Sequence, residues 1–278
     1  MTTLPATAIL GAGSMGGAIL SGMLAPTVAV EGGIRVTNRT EAKAEALRSD
    51  AVVSLATDTE PSANRTAVEG ARIVVVGVKP AMVLDLLREI APALESDAIV
   101  VSVAAGVPIS AMEALVTCAV MRAMPNTPAT VGLGVTGLSA GSRCSDDDLT
   151  VVSRLFGTVG DVIVLPESKI DALGTVSGSG PAYVFLLIEQ LTRTAVSMGF
   201  TDAEADVMVQ GTFRGASELL ARAEVGPAEL RRRVTSPNGT TERAIAVLEE
   251  ARLSELFDRA TSAALARTRE LTAGTPTP

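Results

Sequence analysis

Short apolar runs rich in Val and Ile alternate with helix-length segments over the first part of the chain. Continuous runs of this kind predict strands buried on both faces of a parallel sheet, because the covering helices leave neither face to water. The runs span 6–10, 34–37, 52–55, 73–78, 98–103 and 119–121, followed by a glycine-interrupted run at 131–138 and a last run at 162–164. Residues 122–128 between them are expected to form a loop held by two prolines.

Helical patterns replace the strand patterns from Glu167 onward. The segment 182–198 carries apolar residues on most sides, which predicts a helix buried by the rest of the protein or by a second copy of it. Thr201 and Glu204 have the spacing of a capping box, and further helices are expected from Gly226 and over 252–271.

A glycine-rich turn joins the first strand to the first helix, in the order Gly11-Ala12-Gly13-Ser14-Met15-Gly16. Strand, GxGxxG and helix in that order are typical of dinucleotide binding. The glycines permit a sharp turn and close approach of a pyrophosphate, and the helix N-terminus faces the phosphates. A purely structural turn is the alternative.

The second strand ends in Asn38-Arg39-Thr40, where NAD-dependent enzymes place an acid for the ribose hydroxyls. An arginine flanked by polar side chains would instead bind a 2′-phosphate. This favours NADPH, with NADH possible, over the alternative of a merely solvated Arg39. Because open α/β sheets bind ligands at the carboxyl ends of their strands, Lys79-Pro80 and Ala104-Ala105-Gly106 should also line the crevice.

These patterns predict the α/β class, with an N-terminal Rossmann-like dinucleotide-binding domain followed by an all-α dimerisation and substrate domain. The expected boundaries are 1–165 and 166–278, with a disordered tail at 273–278.

Composition narrows the chemistry. The net charge of −8 and an aromatic content of 2% argue against nucleic acid as a partner. No run is long enough for a membrane span and the first residues lack a signal peptide, so a cytoplasmic location is expected. Cys118 and Cys144 have no metal-ligand spacing and histidine is absent, so no metal site is expected and the chemistry must depend on a cofactor.

A second candidate site lies at Ser236-Pro237-Asn238-Gly239-Thr240-Thr241. Ser before Pro is a helix-start signature, with Ser236 as the cap and Pro237 at the first helical position. Hydroxyls and free amides at a helix start could bind a small carboxylate. A capped turn between two surface helices is the alternative, and Arg231-Arg232-Arg233 before it is either a solvated face or an anion attractor.

Four motifs together resemble the pyrroline-5-carboxylate reductase family over about residues 6 to 271. They are VKP at 78–80, MPNTP at 124–128, GSGPAYVF at 178–185 and the VTSPxGTT segment ending at Thr241. The family usually has two glycines after Ser-Pro, and here the first is Asn238, a residue that tolerates a left-handed conformation.

The resemblance implies NAD(P)H-dependent reduction of 1-pyrroline-5-carboxylate to L-proline, by a homodimer that assembles into a decamer, with no membrane partner. It implies that Ser236, Gly239, Thr240 and Thr241 hold the substrate carboxylate, that Thr241 also contacts the ring nitrogen as the catalytic residue, and that Glu224 lies nearby. The cofactor residues are then Gly11, Gly13, Ser14, Met15, Gly16, Asn38, Arg39, Thr40, Asn64, Val78, Lys79, Pro80, Ala104, Ala105, Gly106 and Asn126.

Three alternatives stand beside this interpretation. A β-hydroxyacid dehydrogenase would need a lysine shortly after the glycine-led helix start near residue 180, and none is present there. Another NADP-dependent imine reductase would keep the same elements. A non-catalytic NADP-binding protein would be expected to lose the second site, yet Ser236, Gly239, Thr240 and Thr241 are all present.

Overall fold

The structure is a computed structural model that describes residues 1–272. The tail predicted to be disordered, 273–278, lies outside the described residues. Contacts within the chain define two compact units, one comprising Met1–Ser179 together with the described residues 264–272, the other Gly180–Ala263. The domain boundary placed at residue 165 from the sequence stays a prediction.

The first unit is built on an eight-stranded sheet with the strand order β10-β9-β8-β7-β6-β2-β4-β5. Neighbouring strands are parallel except β8 and β9, which are antiparallel. The short strands β1 and β3 form a separate parallel pair that the sequence pattern did not indicate. The strands are β1 Thr2–Leu4, β2 Thr7–Leu10, β3 Val28–Val30, β4 Ile34–Asn38, β5 Val52–Ala56, β6 Ile73–Val76, β7 Ile99–Ser102, β8 Ala119–Met124, β9 Gly134–Ala140 and β10 Gly160–Val164.

Buried residues of the central strands alternate between two hydrophobic clusters. Ile73 and Val75 of β6 belong to one cluster, and Val74 and Val76 belong to the other. Because successive side chains of a strand point to opposite faces, each apolar run fills both sides of the sheet. The helices of this unit are α1 Ser14–Met23, α2 Glu41–Glu45, α3 Ala63–Val68, α4 Val83–Ile90, α5 Ile109–Glu113, α6 Asp146–Gly157 and α7 Ile170–Leu173.

Side chains stabilise the N-terminus of α6. Ser145 and Asp148 form a capping box, in which each side chain bonds the other residue's backbone amide. Asp148 also pairs with Arg72 at 2.5 Å. Burial opposes ionisation of Asp148, but the hydrogen bonds from Ser145 and Arg72 outweigh it and lower the pKa of this carboxyl below its usual value.

The prediction of a loop from residue 122 is wrong, because β8 continues to Met124. Arg122, which interrupts the apolar pattern, is only 5% exposed. Its guanidinium is neutralised by Glu167 at 3.1 Å and Asp171 at 2.8 Å. A charged residue can therefore occupy a buried strand here because two acids from a later part of the chain pair with it.

The second unit is entirely helical. It contains α8 Gly180–Ser197, α9 Asp202–Arg222, α10 Pro227–Arg233, α11 Thr240–Glu250 and the first part of α12 Leu253–Thr272. The predicted capping box of Thr201 and Glu204 begins α9. Along α8, all of which is described, only Ala195 is buried, whereas Phe185 is 65% exposed. The chain itself does not bury the apolar helix, which leaves a second copy as the remaining explanation from the sequence.

Among the helices within residues 1–272, none combines the length and apolar character needed to cross a membrane.

Candidate functional site

The glycine-rich turn packs tightly between β2, β6 and α1. Gly11 has a φ of +89°, and a Cβ there would lie 3.0 Å from Val78 Cγ1. A Cβ on Gly16 would lie 2.7 Å from the Gly11 carbonyl oxygen, so the helix could not approach the strand so closely. Both positions therefore require glycine for backbone packing, as the fingerprint predicts.

The space above the turn is open, and hydrogen-bond donors face it. A Cβ added to Gly13 would meet no atom within 4 Å. The amides of Ser14, Met15 and Gly16 donate to no acceptor within residues 1–272, since the first amide of α1 to do so belongs to Gly17. Free amides at a helix N-terminus over open space suit a pyrophosphate.

An open cleft of about 390 Å³ extends from this turn along the carboxyl ends of β2 and β4. We call it the nucleotide cleft. It contains five of the predicted cofactor residues and seven that the sequence did not single out. Its lining residues are Gly11, Thr37, Asn38, Arg39, Thr57, Asn64, Val78, Ala81, Met82, Asp85, Leu86 and Glu89.

Two side chains in the nucleotide cleft are available to a ligand. Asn38 is 6% exposed, and its Nδ2 has no hydrogen-bond partner among the described residues. A buried amide donor without a partner is costly, so its position in a cleft indicates that a bound acceptor completes it. Arg39 is exposed and forms no ion pair with any residue from 1 to 272. Both observations fit a nucleotide that bears hydroxyl or phosphate oxygens.

Asn64 is held in one orientation inside the cleft. Thr37 Oγ1 donates to Asn64 Oδ1 at 2.9 Å, while Asn64 Nδ2 donates to the Glu89 carboxylate oxygens at 3.2 and 3.3 Å. The sequence predicted Asn64 but missed Glu89, because no local motif marks a helical glutamate that faces a cleft.

The remaining predicted cofactor residues follow strand ends or begin helices. Thr40 is the N-cap residue of α2, although its side chain makes no capping bond. Lys79 and Pro80 are exposed and begin a 3₁₀ turn after β6. After β7, Gly106 has a φ of +75°. Ala104 is buried and its amide lies 3.3 Å from Ser102 Oγ.

A second cleft of about 410 Å³ brings together the predicted residues Met15, Ala105 and Asn126. It lies wholly within the first unit. Five other lining residues belong to the motifs at 124–128 and 178–185, namely Met124, Pro125, Thr127, Gly178 and Ser179. The sequence did not single out the remaining ones, because they come from segments far apart in the chain. These are Asp171, Gly174, Thr175, Ala264, Arg267 and Thr268.

Asn126 braces the wall of this second cleft. Its Nδ2 donates to the Ser177 carbonyl oxygen at 3.0 Å, and its Oδ1 accepts from the Val135 amide at 2.8 Å. The side chain of Asn126 therefore fixes the loop that carries it.

The nearby Arg122 pairs with Asp171, which lines the cleft, and with Glu167, which also accepts from the Ile109 amide at 2.7 Å.

The candidate carboxylate site differs locally from the prediction. Ser236 does not cap a helix and Pro237 is not its first residue, because α11 begins at Thr240 with Gly239 as the N-cap residue. The Gly239 amide donates to the Ser236 carbonyl oxygen at 3.0 Å, which closes a turn instead. Asn238 has a φ of +59°, which is incompatible with a right-handed helix and delays the helix start.

Donors are nevertheless present at the start of α11. The amides of Thr240 and Thr241 donate to no acceptor within residues 1–272, and both residues are exposed. The Glu242 carboxylate accepts from the Asn238 amide at 2.8 Å and stabilises the turn. This end of α11 can therefore bind a small anion through backbone amides and hydroxyl groups.

The other charged residues around this loop fall into two groups. Glu224 is exposed between α9 and α10. The three arginines of α10 form ion pairs, Arg231 with Glu249 and the other two with Glu229. Hydrogen bonds from these two arginines lower the pKa of Glu229 to about 2. The basic cluster is thus a paired, solvated helix face.

No group of three or more potential metal ligands occurs within the described part of the chain. Cys118 and Cys144 are free, and burial raises the pKa of both thiols.

Two family models match the chain in succession. Residues 6–106 match the model described as NADP oxidoreductase coenzyme F420-dependent, and residues 167–271 match the model described as pyrroline-5-carboxylate reductase dimerisation. Curated relatives extend the similarity to nearly the whole chain. A pyrroline-5-carboxylate reductase of Corynebacterium melassecola is 38% identical over 98% of this chain and 99% of its own. Another from Pseudomonas aeruginosa is 36% identical over 96% and 97%, respectively.

Solved structures have the same fold. A pyrroline-5-carboxylate reductase from Coxiella burnetii superimposes with a TM-score of 0.88 at 35% identity, covering 95% of this chain and 97% of its own. The Plasmodium falciparum pyrroline carboxylate reductase with NADP bound has a TM-score of 0.80 over 96% and 97% of the two chains, and at 24% identity it shows the fold alone. The Rossmann-like sheet followed by a helical dimerisation domain is thereby confirmed. The chain belongs to the pyrroline-5-carboxylate reductase family.

Proposed function

We propose that the protein reduces the cyclic imine 1-pyrroline-5-carboxylate to L-proline with NAD(P)H, the last step of proline biosynthesis. The observation that carries this proposal is the 38% identity to a reductase of that name over 98% of the chain. The free amides of α1 and of α11 supply two sites for anionic groups, as a dinucleotide and an amino-acid-like substrate require.

The residues of the nucleotide cleft fit the cofactor. The unpartnered Nδ2 of Asn38, the unpaired Arg39 and the open space at Gly13 all suit a dinucleotide with phosphate or hydroxyl groups at these points. When bound, the reduced nicotinamide supplies the hydride. We propose NADPH as the preferred form because Arg39 can pair with a 2′-phosphate, with NADH also used.

The loop before α11 would hold the substrate. In this proposal the amides and hydroxyls of Ser236, Gly239, Thr240 and Thr241 bind the carboxylate. The Thr241 hydroxyl also hydrogen-bonds the ring nitrogen, as donor or acceptor, while the imine becomes an amine. A protonated imine is already electrophilic, so the main task of these residues is to hold the ring in a reactive orientation.

Assembly follows from the exposed apolar helices of the second unit. A homodimer would cover α8, whose Phe185 and Leu186 are 65% and 55% exposed in the single chain. Assembly of dimers into a decamer and a cytoplasmic location are further proposals, which the family resemblance supports.

The direct experiment combines purified protein with racemic 1-pyrroline-5-carboxylate and either NADPH or NADH. We expect loss of coenzyme absorbance with stoichiometric formation of L-proline, identified by chromatography. Reactions without the imine control for coenzyme decay. Coenzyme oxidation without proline, or no oxidation with either coenzyme, would contradict the proposed function.

A further inference from the structure

Helix α4 places two carboxylates in the nucleotide cleft, opposite in charge to Arg39. Asp85 and Glu89 both line the cleft, one turn apart on the same helix. Acids in NAD-dependent enzymes typically follow the second strand of the sheet, where this chain has Arg39. Here the acids reach the cleft from another element of the fold.

The two acids differ in how their charge is compensated. Asp85 forms an ion pair with Arg88 at 2.5 Å. Glu89 is partly buried and forms no ion pair with any residue in the range 1–272. Among residues 1–272, its carboxylate is hydrogen-bonded by the Nδ2 of Asn64, a neutral group. Glu89 therefore brings to the cleft a carboxylate without an ion pair, although Arg65 Nε donates to the backbone carbonyl oxygen of Glu89 at 2.9 Å.

A chain of hydrogen bonds orients the Asn64 amide between Thr37 and Glu89. Thr37 Oγ1 donates to Asn64 Oδ1, so the Asn64 amide must turn its Nδ2 toward Glu89. A carboxylate has about four acceptor positions, and one amide nitrogen leaves some of them free. Those positions can accept hydrogen bonds from ligand hydroxyls but not from a phosphate dianion.

We propose that Glu89 is a specificity-determining residue that opposes Arg39. Its carboxylate accepts hydrogen bonds from the ribose hydroxyls of a dinucleotide without a 2′-phosphate, and repels the phosphate when it is present. The balance of Glu89 and Arg39 lets one cleft accept both NADH and NADPH. The proposal builds on the proposed function only in taking NAD(P) as the ligand, and it concerns the adenosine end alone.

The test measures binding of two adenosine fragments to the full-length protein by isothermal titration calorimetry. The probes are adenosine 2′,5′-bisphosphate, which carries the 2′-phosphate, and 5′-AMP, which does not. Glu89→Gln keeps an oxygen acceptor for Asn64 and removes the charge. We expect the ratio of the two affinities to shift about tenfold toward the bisphosphate, which tightens while 5′-AMP weakens. Glu95→Gln, an exposed residue outside the cleft, makes the same charge change and should leave the ratio unaltered.

Two outcomes would overturn the proposal. An equal loss of affinity for both probes would mean that Glu89 only holds Asn64 in position. The Asn64→Ala variant shows how the two affinities change when that positioning is lost. An unchanged ratio would mean that Glu89 does not sense the 2′ position. Circular dichroism melting of each variant verifies that it is folded. Neither probe is reduced or oxidised, so a chain that fails to reduce the imine could still satisfy this test.

Discussion

The two units of the chain satisfy their apolar side chains in opposite ways. In the first unit, every residue of β6 from Ile73 to Val76 is completely buried within a single copy of the chain. In the second unit, only Ala195, Ala205 and Val209 are buried among the residues from Gly180 to Ala263. The contrast shows that the first unit carries its own core, whereas the second unit requires a partner surface to complete one.

The largest expected effect comes from placing a charge on that incomplete core. Phe185→Glu on α8 should dissociate the dimer, because a large apolar side chain contributes about 1.5 to 3 kcal/mol when buried. A symmetric interface contains the change twice, so the dissociation constant should rise by at least about 100-fold. Sedimentation velocity would measure the loss of the dimer, and reductase activity should fall with it.

A charge on an exposed apolar residue of the first unit is the matched control. Val53 on the edge strand β5 is 55% exposed, and Val53→Glu should leave both assembly and activity unchanged. A Phe185→Glu protein that sediments as the wild type would show that α8 is not part of the interface.

The next largest effect is expected from a substitution in the second unit that leaves its fold intact. We predict that Thr241→Ala lowers kcat/KM for the imine about 100-fold, because it removes a hydrogen bond at the nitrogen where charge changes during reduction. Thr235→Ala is the control, since its hydroxyl donates to the Arg231 carbonyl oxygen within the chain. Steady-state kinetics would measure kcat/KM for the imine in both variants. A wild-type value in Thr241→Ala would exclude the proposed hydrogen bond to the ring nitrogen.

In the first unit, Arg39→Ala is the substitution expected to weaken binding of the coenzyme. A charge-assisted hydrogen bond is worth about 1.5 to 3 kcal/mol, so the KM for NADPH should rise about 10-fold to 100-fold. The KM for NADH should change little, because NADH lacks the 2′-phosphate. Lys43→Ala removes a nearby exposed charge outside the cleft and should affect neither coenzyme. Equal increases for both coenzymes would contradict a role in binding the 2′-phosphate.

The same contrast explains how far the sequence could predict the molecule. The glycine turn and the central strands were predictable because their patterns are local and their burial is complete within the chain. The continuation of β8 through Arg122 was not, since its neutralising acids lie more than 40 residues away in the sequence. The start of α11 was misplaced because the left-handed Asn238 and its bond to Glu242 compete with a proline start. Glu89 was missed because only the fold brings it to Asn64.

A smaller effect on stability should follow from Asp148→Asn in the first unit. The Arg72–Asp148 pair is partly buried, so its loss should lower the free energy of unfolding by about 1 to 3 kcal/mol near pH 7. The pKa of Asp148 is lowered in the folded chain. Its contribution is therefore fully present above the unfolded pKa of about 3.9, and is lost as the pH falls through the lower folded value.

Urea unfolding at pH 7 and at about pH 3 would measure this dependence in wild type and variant. The difference between the two proteins should shrink at the lower pH. Asp147→Asn is the control, since Asp147 neighbours Asp148 on α6 and has no ion pair within the described residues. A difference that is independent of pH would show that the carboxylate charge does not stabilise the fold.

The smallest expected effect concerns Asn238, whose backbone is left-handed. Its φ of +59° is adopted readily by glycine, tolerated by asparagine and costly for alanine. The amide that donates to Glu242 belongs to the backbone, so Asn238→Gly retains that bond. Glycine also gains entropy in the unfolded chain, which offsets its advantage in the turn. The KM for the imine should therefore change less than about threefold in Asn238→Gly, and rise about fivefold in Asn238→Ala, where about 1 kcal/mol of strain opposes the turn. A large rise in the glycine variant would instead show that the Asn238 side chain itself contacts the substrate.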